Sequence, residues 1–172
     1  GVNLLEKQHL RQPTGMIYET LGYLYVEKYD QARKAEFLAN PPQPEVDERF
    51  GSEAPAVDPE EAWNAGVEKA LAFNKEAADY DDEDAVCLDN LGQTYYRVLG
   101  DKQAAREWFD KALAVKPGQI DTLWFLSRYD VEAGDTAAAI AKLETALEGR
   151  FSPLNKVTKA DVEAEIARLK AL

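Results

Sequence analysis

The feature that most constrains the fold is a pattern that returns after 35 residues. Leu91-Gly92-Gln93-Thr94-Tyr95-Tyr96 leads through Gly100-Asp101 to Ala104-Ala105, then Phe109, Ala112-Leu113 and Pro117. Leu126-Ser127 leads through Gly134-Asp135 to Ala138-Ala139-Ile140, then Leu143 and Ala146-Leu147. A period in this range belongs to helix pairs stacked as a solenoid. Each copy reads as helix, Gly-Asp turn, helix. The glycine allows the left-handed backbone that ends a helix, the aspartate can cap the next one, and Pro117 stops the second helix of its pair.

The small and large residues alternate for a steric reason. Gly92 and Ser127 leave room where two helices cross, and Ala105, Ala112, Ala139 and Ala146 do so from the second helix of each pair. Leu91, Tyr95, Phe109 and Leu113 fill the space around the crossings. Pairs this short cannot bury their apolar faces alone, so neighbours must stack. Tyr18, Leu21, Gly22 and Tyr25 give the opening of the pattern again, and Ala70, Leu71, Phe73, Ala77 and Tyr80 give the matching second half.

These residues resemble the tetratricopeptide-repeat (TPR) family, whose signature is an aromatic or apolar residue, Leu-Gly, Tyr, Ala, an aromatic, Ala and Pro at set spacing. The likeness runs over most of the chain and is nearest to bacterial TPR proteins. Departures are Ser127 for the glycine, Asp130 where tyrosine is usual, and one extra residue before Gly100. The resemblance implies an all-α fold, an α-solenoid (alpha-alpha superhelix) of about three TPR helix pairs with a C-terminal capping helix. It also implies a role as a scaffold or adaptor that holds an extended peptide or protein segment in a concave groove, not an enzyme. Carried over residue by residue, the groove would show Glu19, Tyr23 and Val26 from the first repeat. The second would add Asp89, Asn90, Gln93, Tyr96 and Arg97, and the third Trp124, Phe125 and Arg128, with both aromatics divided between groove and core. Of the residues with which some family members clamp a C-terminal carboxylate, only Asn90 matches, which disfavours a chaperone-tail clamp.

The boundaries follow from these matches, with residues 1–172 forming a single domain. Residues 3–13 look like the second helix of a preceding repeat, with Leu4, Leu5 and Leu10 packing on the helix that starts near Gly15. Repeat 1 takes 15–84 with an insertion at about 30–66, repeat 2 takes 85–119 and repeat 3 takes 120–153. The insertion lengthens both arms of one hairpin. Tyr29 and Ala32 on one arm face Trp63 and Gly66 on the other, the second arm starts near Pro59, and the tip runs from Asn40 to Asp58. At residues 158–171, Thr158 and Asp161 suggest a capping box, Val157 and Val162 a hydrophobic staple, and Val162, Ile166 and Leu169 one apolar stripe.

Composition narrows the function classes. A net charge of -12 argues against nucleic acid, which needs clustered Lys and Arg, and its ordinary meaning is solubility. No apolar run suits direct membrane insertion. A cytoplasmic location is the expectation, with membrane anchoring or export depending on a segment upstream of residue 1. Cys87 reads as a small core residue, and His9, the only histidine, as a solvated helix residue. With no second histidine beside it, no metal is expected. The acidic run Asp79, Asp81, Asp82, Glu83, Asp84 lacks the central glycine and closing glutamate of a calcium loop and suits a helix start instead. No cofactor and no catalytic residues are expected. Alternatives to the adaptor are a structural homo-oligomer and a regulatory domain of a larger protein.

Overall fold

The structure, a computed structural model, describes residues 2–41 and 58–172. The described residues are helices and turns, without strands: α1 (Val2–Arg11), α2 (Gly15–Tyr29), a 3-10 turn (Gln31–Arg33), α3 (Lys34–Ala39), α4 (Pro59–Tyr80), α5 (Ala85–Gln93), α6 (Lys102–Val115), α7 (Ile120–Glu132), α8 (Thr136–Leu147) and α9 (Lys159–Lys170). Helix α5 runs on as a π turn over Thr94–Leu99. The helices pair as α2 with α4, α5 with α6 and α7 with α8, and α9 lies on α8.

The turn chemistry is as the residues demand. Gly100 and Gly134 take φ of 71° and 80°, closing the first helices of two pairs in left-handed conformations. Asp101 then accepts from Ala104 N at 3.0 Å and Asp135 from Ala138 N at 2.9 Å, so both begin the following helix. In the acidic run, Asp84 accepts from Val86 N and Cys87 N and starts α5. Asp58 does the same for α4, accepting from Glu60 N and Glu61 N with Pro59 in the first turn.

Close crossings explain the small residues. A Cβ on Gly92 would sit 2.7 Å from the Phe109 ring, so α5 and α6 can meet only without it. In the first pair the counterpart of Phe109 is Asn74, buried beneath Gly22 with its amide donating to Gly22 O and Ala70 O. Phe73, the residue the sequence pattern matches, packs instead with Tyr18 and Tyr25.

The two arms around the insertion differ from one another. Helix α4 is continuous over 22 residues, whereas α2 stops at Tyr29. Asp30 leaves the helical region with ψ of 132°, and its carboxylate accepts from Ala32 N. Tyr29 lies against Gly66, and Trp63 is buried edge-on to Tyr29 at 5.6 Å and to Phe37 at 5.2 Å. Ala32 is exposed rather than facing α4, because the break rotates the chain and Phe37 of α3 takes the contact. Most of the expected tip, 42–57, lies outside the described residues.

At the ends, α1 packs through Val2 and Leu5. Leu4 and Leu10 are 72% and 85% exposed, so the expected packing holds for Leu5 alone of the three leucines. The C-terminal helix carries the full capping box, Thr158 with Asp161, and buries Val162, Ile166 and Leu169 beside Val157.

Candidate functional site

The concave side is built by α2, α5 and α7, and its centre is polar and closed. Val26, Asp89, Asn90, Gln93 and Arg97, all expected in an open groove, are buried between helices. Asn90 Nδ2 donates to Glu19 O at 2.9 Å, tying α5 to α2. Asp89 accepts from Gln93 Nε2 at 2.7 Å and from Thr122 Oγ1 of α7 at 2.6 Å. Arg97 donates to Gln93 Oε1 at 2.8 Å, to Asp30 Oδ2 at 2.8 Å and to Glu27 Oε1 at 2.6 Å. A continuous hydrogen-bonded chain thus joins all three helix pairs. Buried polar groups need such partners, and here the partners come from the neighbouring helices.

Electrostatics follow burial. The carboxyl of Asp89 is pushed up to about 7 by loss of water and next by the charge of Asp121. Asp121 is raised by burial, although Lys156 N and Asn155 Nδ2 donate to it. Burial and the nearby Asp84 carboxylate raise Glu19, and burial and Glu27 raise the Tyr23 phenol.

The extra residue before Gly100 is absorbed by the π turn, which adds one residue to a helical turn. Every side chain after it is rotated relative to a plain α-helix. Tyr96 packs between pairs, 5.1 Å from Phe125 and 5.9 Å from Tyr129, half-buried under the Lys102 ammonium, and Val26, four residues after Gly22 as Tyr96 is after Gly92, is buried between pairs too. Arg97 is turned toward the C-terminal end of α2. In the third pair Phe125 is core, stacked on Phe109 at 5.2 Å. Arg128 lies over Trp124 at 4.0 Å and donates to Glu165 of α9 at 2.7 Å, so the capping helix occupies that end of the concave side.

What remains open is a cavity of about 100 Å³. Glu19 and Tyr23 face into it from α2, Val86 and Asp89 from α5, and Asp121 from α7, and Ser152, Leu154 and Asn155 close it. The last three belong to the connection between α8 and α9. Asn155 and Lys156 of this connection are held by Asp121, and Lys156 Nζ approaches Glu27 Oε1 to 3.7 Å. The sequence pattern assigns this connection no role. The available signal is its length: α8 ends at Leu147 and α9 begins at Lys159, far more chain than the Gly-Asp turns use.

A second cleft of about 380 Å³ lies between α1, α2 and α4. His9 stands at its wall, and it is not a solvated helix residue. Its ring lies edge-on to Tyr18 at 4.8 Å and to Phe73 at 5.2 Å, and Nε2 is 3.4 Å from Glu76. Beside it Glu6 accepts from Tyr25 and, at 2.6 Å, from Lys69. Among the described residues no group of three or more His, Cys, Asp or Glu side chains is placed to hold a metal ion, and no helix is long and apolar enough to cross a membrane.

Among solved structures, the chain is similar to a thermophilic TPR protein of Thermus thermophilus, with a TM-score of 0.63 and 21% identity over 99% of this chain and 72% of that one. The fold is TPR-like. No family model matches the sequence, and no curated protein does either. The TPR-like arrangement accounts for the paired helices, the small residues at their crossings and the Gly-Asp turns together. It also sets apart two features of this chain, the π turn in its second pair and the connection that folds back over the concave side.

Proposed function

We propose that this chain is a non-catalytic protein-interaction scaffold that holds a segment of a partner protein on its concave side. The observation that supports the reading is the cleft itself: Glu19 and Tyr23 of α2 face α5 and α7 across unfilled space. An aromatic ring beside carboxylates suits a segment with one apolar residue and positive charge. The usable surface is narrower than the sequence suggests, since Val26, Asp89, Asn90, Gln93 and Arg97 form the floor and not the contact face. Screening of a displayed peptide library against the chain, with Tyr23→Ala and Glu19→Lys as comparisons, tests the reading. Peptides that bind the intact cleft should lose at least about tenfold in affinity, as for loss of an interface anchor. Equal binding to all three proteins would place the interaction elsewhere.

A second reading, association with another copy or with a preceding repeat, draws on the N-terminal end. Leu4, Leu10 and Met16 are exposed there, Met16 by 76%. Sedimentation of the wild type against Leu4→Glu and Leu10→Glu across concentration separates this reading from the first.

A further inference from the structure

We infer that the connection between α8 and α9 acts as a built-in competitor for the concave cleft, and that the partner segment it mimics is basic and rich in hydrogen-bond donors. The inference rests on the proposed scaffold role and says what the cleft selects and how access is limited.

The connection does more than join two helices. Val157 and Phe151 anchor its ends in the apolar cluster of the third pair. Between them Ser152–Asn155 forms a turn, with Asn155 N donating to Ser152 O at 3.1 Å and Ser152 N donating to Asn155 Oδ1 at 2.7 Å. That turn presents three donors to the concave side. Asn155 Nδ2 reaches Asp121 Oδ2 at 3.2 Å, Lys156 N reaches both Asp121 oxygens at 3.0 and 2.9 Å, and Lys156 Nζ lies 3.7 Å from Glu27. Leu154 covers the cleft while staying 44% exposed. The turn is therefore held by polar contacts at its centre and by apolar contacts only at its ends.

Charge indicates what could replace it. The cleft carries Glu19, Asp89 and Asp121, and Glu27 and Asp30 lie beyond it, paired with Arg97 and, for Glu27, also 3.7 Å from Arg33. An incoming segment must supply donors for Asp121, as Asn155 and Lys156 do now, and a cation on it takes the place of the Lys156 ammonium beside Glu27. A basic segment with an amide or free backbone N–H beside a lysine meets both needs, and an acidic one meets neither.

Tethering sets the size of the effect. A short linker holds its occupant at an effective concentration on the order of 1 mM. If the turn itself, as a free segment, has a Kd of about 100 μM, any competing segment binds the intact chain about tenfold more weakly than a chain whose turn is removed.

The test replaces residues 152–156 with Gly-Ser-Gly-Ser-Gly, keeping Phe151 and Val157. The probe is a fluorescein-labelled peptide of residues 150–158, Arg-Phe-Ser-Pro-Leu-Asn-Lys-Val-Thr, followed by anisotropy. The replaced chain should bind it at least about tenfold more tightly than the intact chain, and the same peptide with Lys156→Glu should not bind. A replaced chain that keeps its helical circular dichroism and thermal midpoint yet does not bind overturns the competitor. So does equal binding by both chains. A milder variant, Lys156→Glu in the intact chain, guards against misfolding and should also expose the cleft to the probe. A displayed peptide library run in parallel separates the two ideas. Basic peptides enriched by the replaced chain alone support both, peptides enriched equally by both chains refute the competitor and keep the scaffold, and no enrichment by either refutes both.

Discussion

Gly66→Ala should destabilise the wild-type chain and stabilise a chain carrying Tyr29→Leu. Gly66 lies inside α4, where a glycine is about 0.8–1.0 kcal/mol less favourable than alanine. In isolation the substitution would therefore help. The Tyr29 ring prevents that. A Cβ at position 66 would come within 2.5 Å of Tyr29 Cε1, Cζ and Oη, well inside van der Waals contact. The ring cannot yield easily, because Trp63 stands edge-on to it at 5.6 Å and Phe37 lies at 6.1 Å. Overpacking of this kind costs about 1–3 kcal/mol, which leaves a net loss of up to about 2 kcal/mol after the helical gain. Leucine at position 29 has none of the three clashing atoms, so the same substitution should then contribute about 0.5–1 kcal/mol of stability. The coupling between the two sites is about 2 kcal/mol, within the range for residues in contact. Urea denaturation of the four proteins, followed by helical circular dichroism, measures it. A Gly66→Ala that stabilises both backgrounds alike, with coupling under about 0.5 kcal/mol, would refute the account of how the two arms meet.

Three further outcomes are expected. Asp89, raised to about 7 by burial and then by Asp121, contributes stability that is fully present below its unfolded value near 3.8 and is lost as pH rises through the folded value. The stability of the wild type relative to Asp89→Asn should therefore fall between about pH 4 and pH 7, with the helical signal intact in both. Arg97→Ala removes the guanidinium from Asp30, from Glu27 and from the buried Gln93, and since the two carboxylates are partly solvated and Glu27 keeps Arg33 and Lys156 at 3.7 Å, it should cost about 2–3 kcal/mol in denaturant unfolding rather than the full penalty of a buried pair. Thr158→Ala removes the cap of α9 and should cost about 1 kcal/mol, read as earlier exchange of the α9 amides.

The paired helices are legible because their signals are local. A glycine followed by aspartate determines a turn whatever surrounds it, and the Thr158–Asp161 box and the Val162, Ile166, Leu169 stripe describe α9 almost completely. Asp58-Pro59 marks the start of α4 for the same reason. The concave residues are not legible in this way, because spacing shows which residues share a face of a helix but not what covers that face. Asp89, Asn90 and Gln93 have the composition of a wet surface, and only the approach of α2 and α7 shows that they are held between helices. Ala32 departs from expectation likewise: its spacing continues the stripe of α2, but the Asp30 side chain caps a 3-10 turn and ends that helix first.

One inserted residue sits where the second pair meets both of its neighbours. In the π turn that absorbs it, Tyr96 enters the aromatic junction with Phe125 and Tyr129, and Arg97 reaches Glu27 and Asp30 while still bonded to Gln93. The same turn thus supplies apolar packing toward the third pair and a polar lock toward the first. A buried ionic lock contributes little net stability compared with apolar residues of the same shape, so its value lies in geometry. The stacking of α2 on α5 satisfies Arg97 through Glu27 and Asp30, and the stacking of α7 on α5 satisfies Asp89 through Thr122. The curvature of the concave side is set by these stackings, and with it the distance from Glu27 to the turn that carries Lys156.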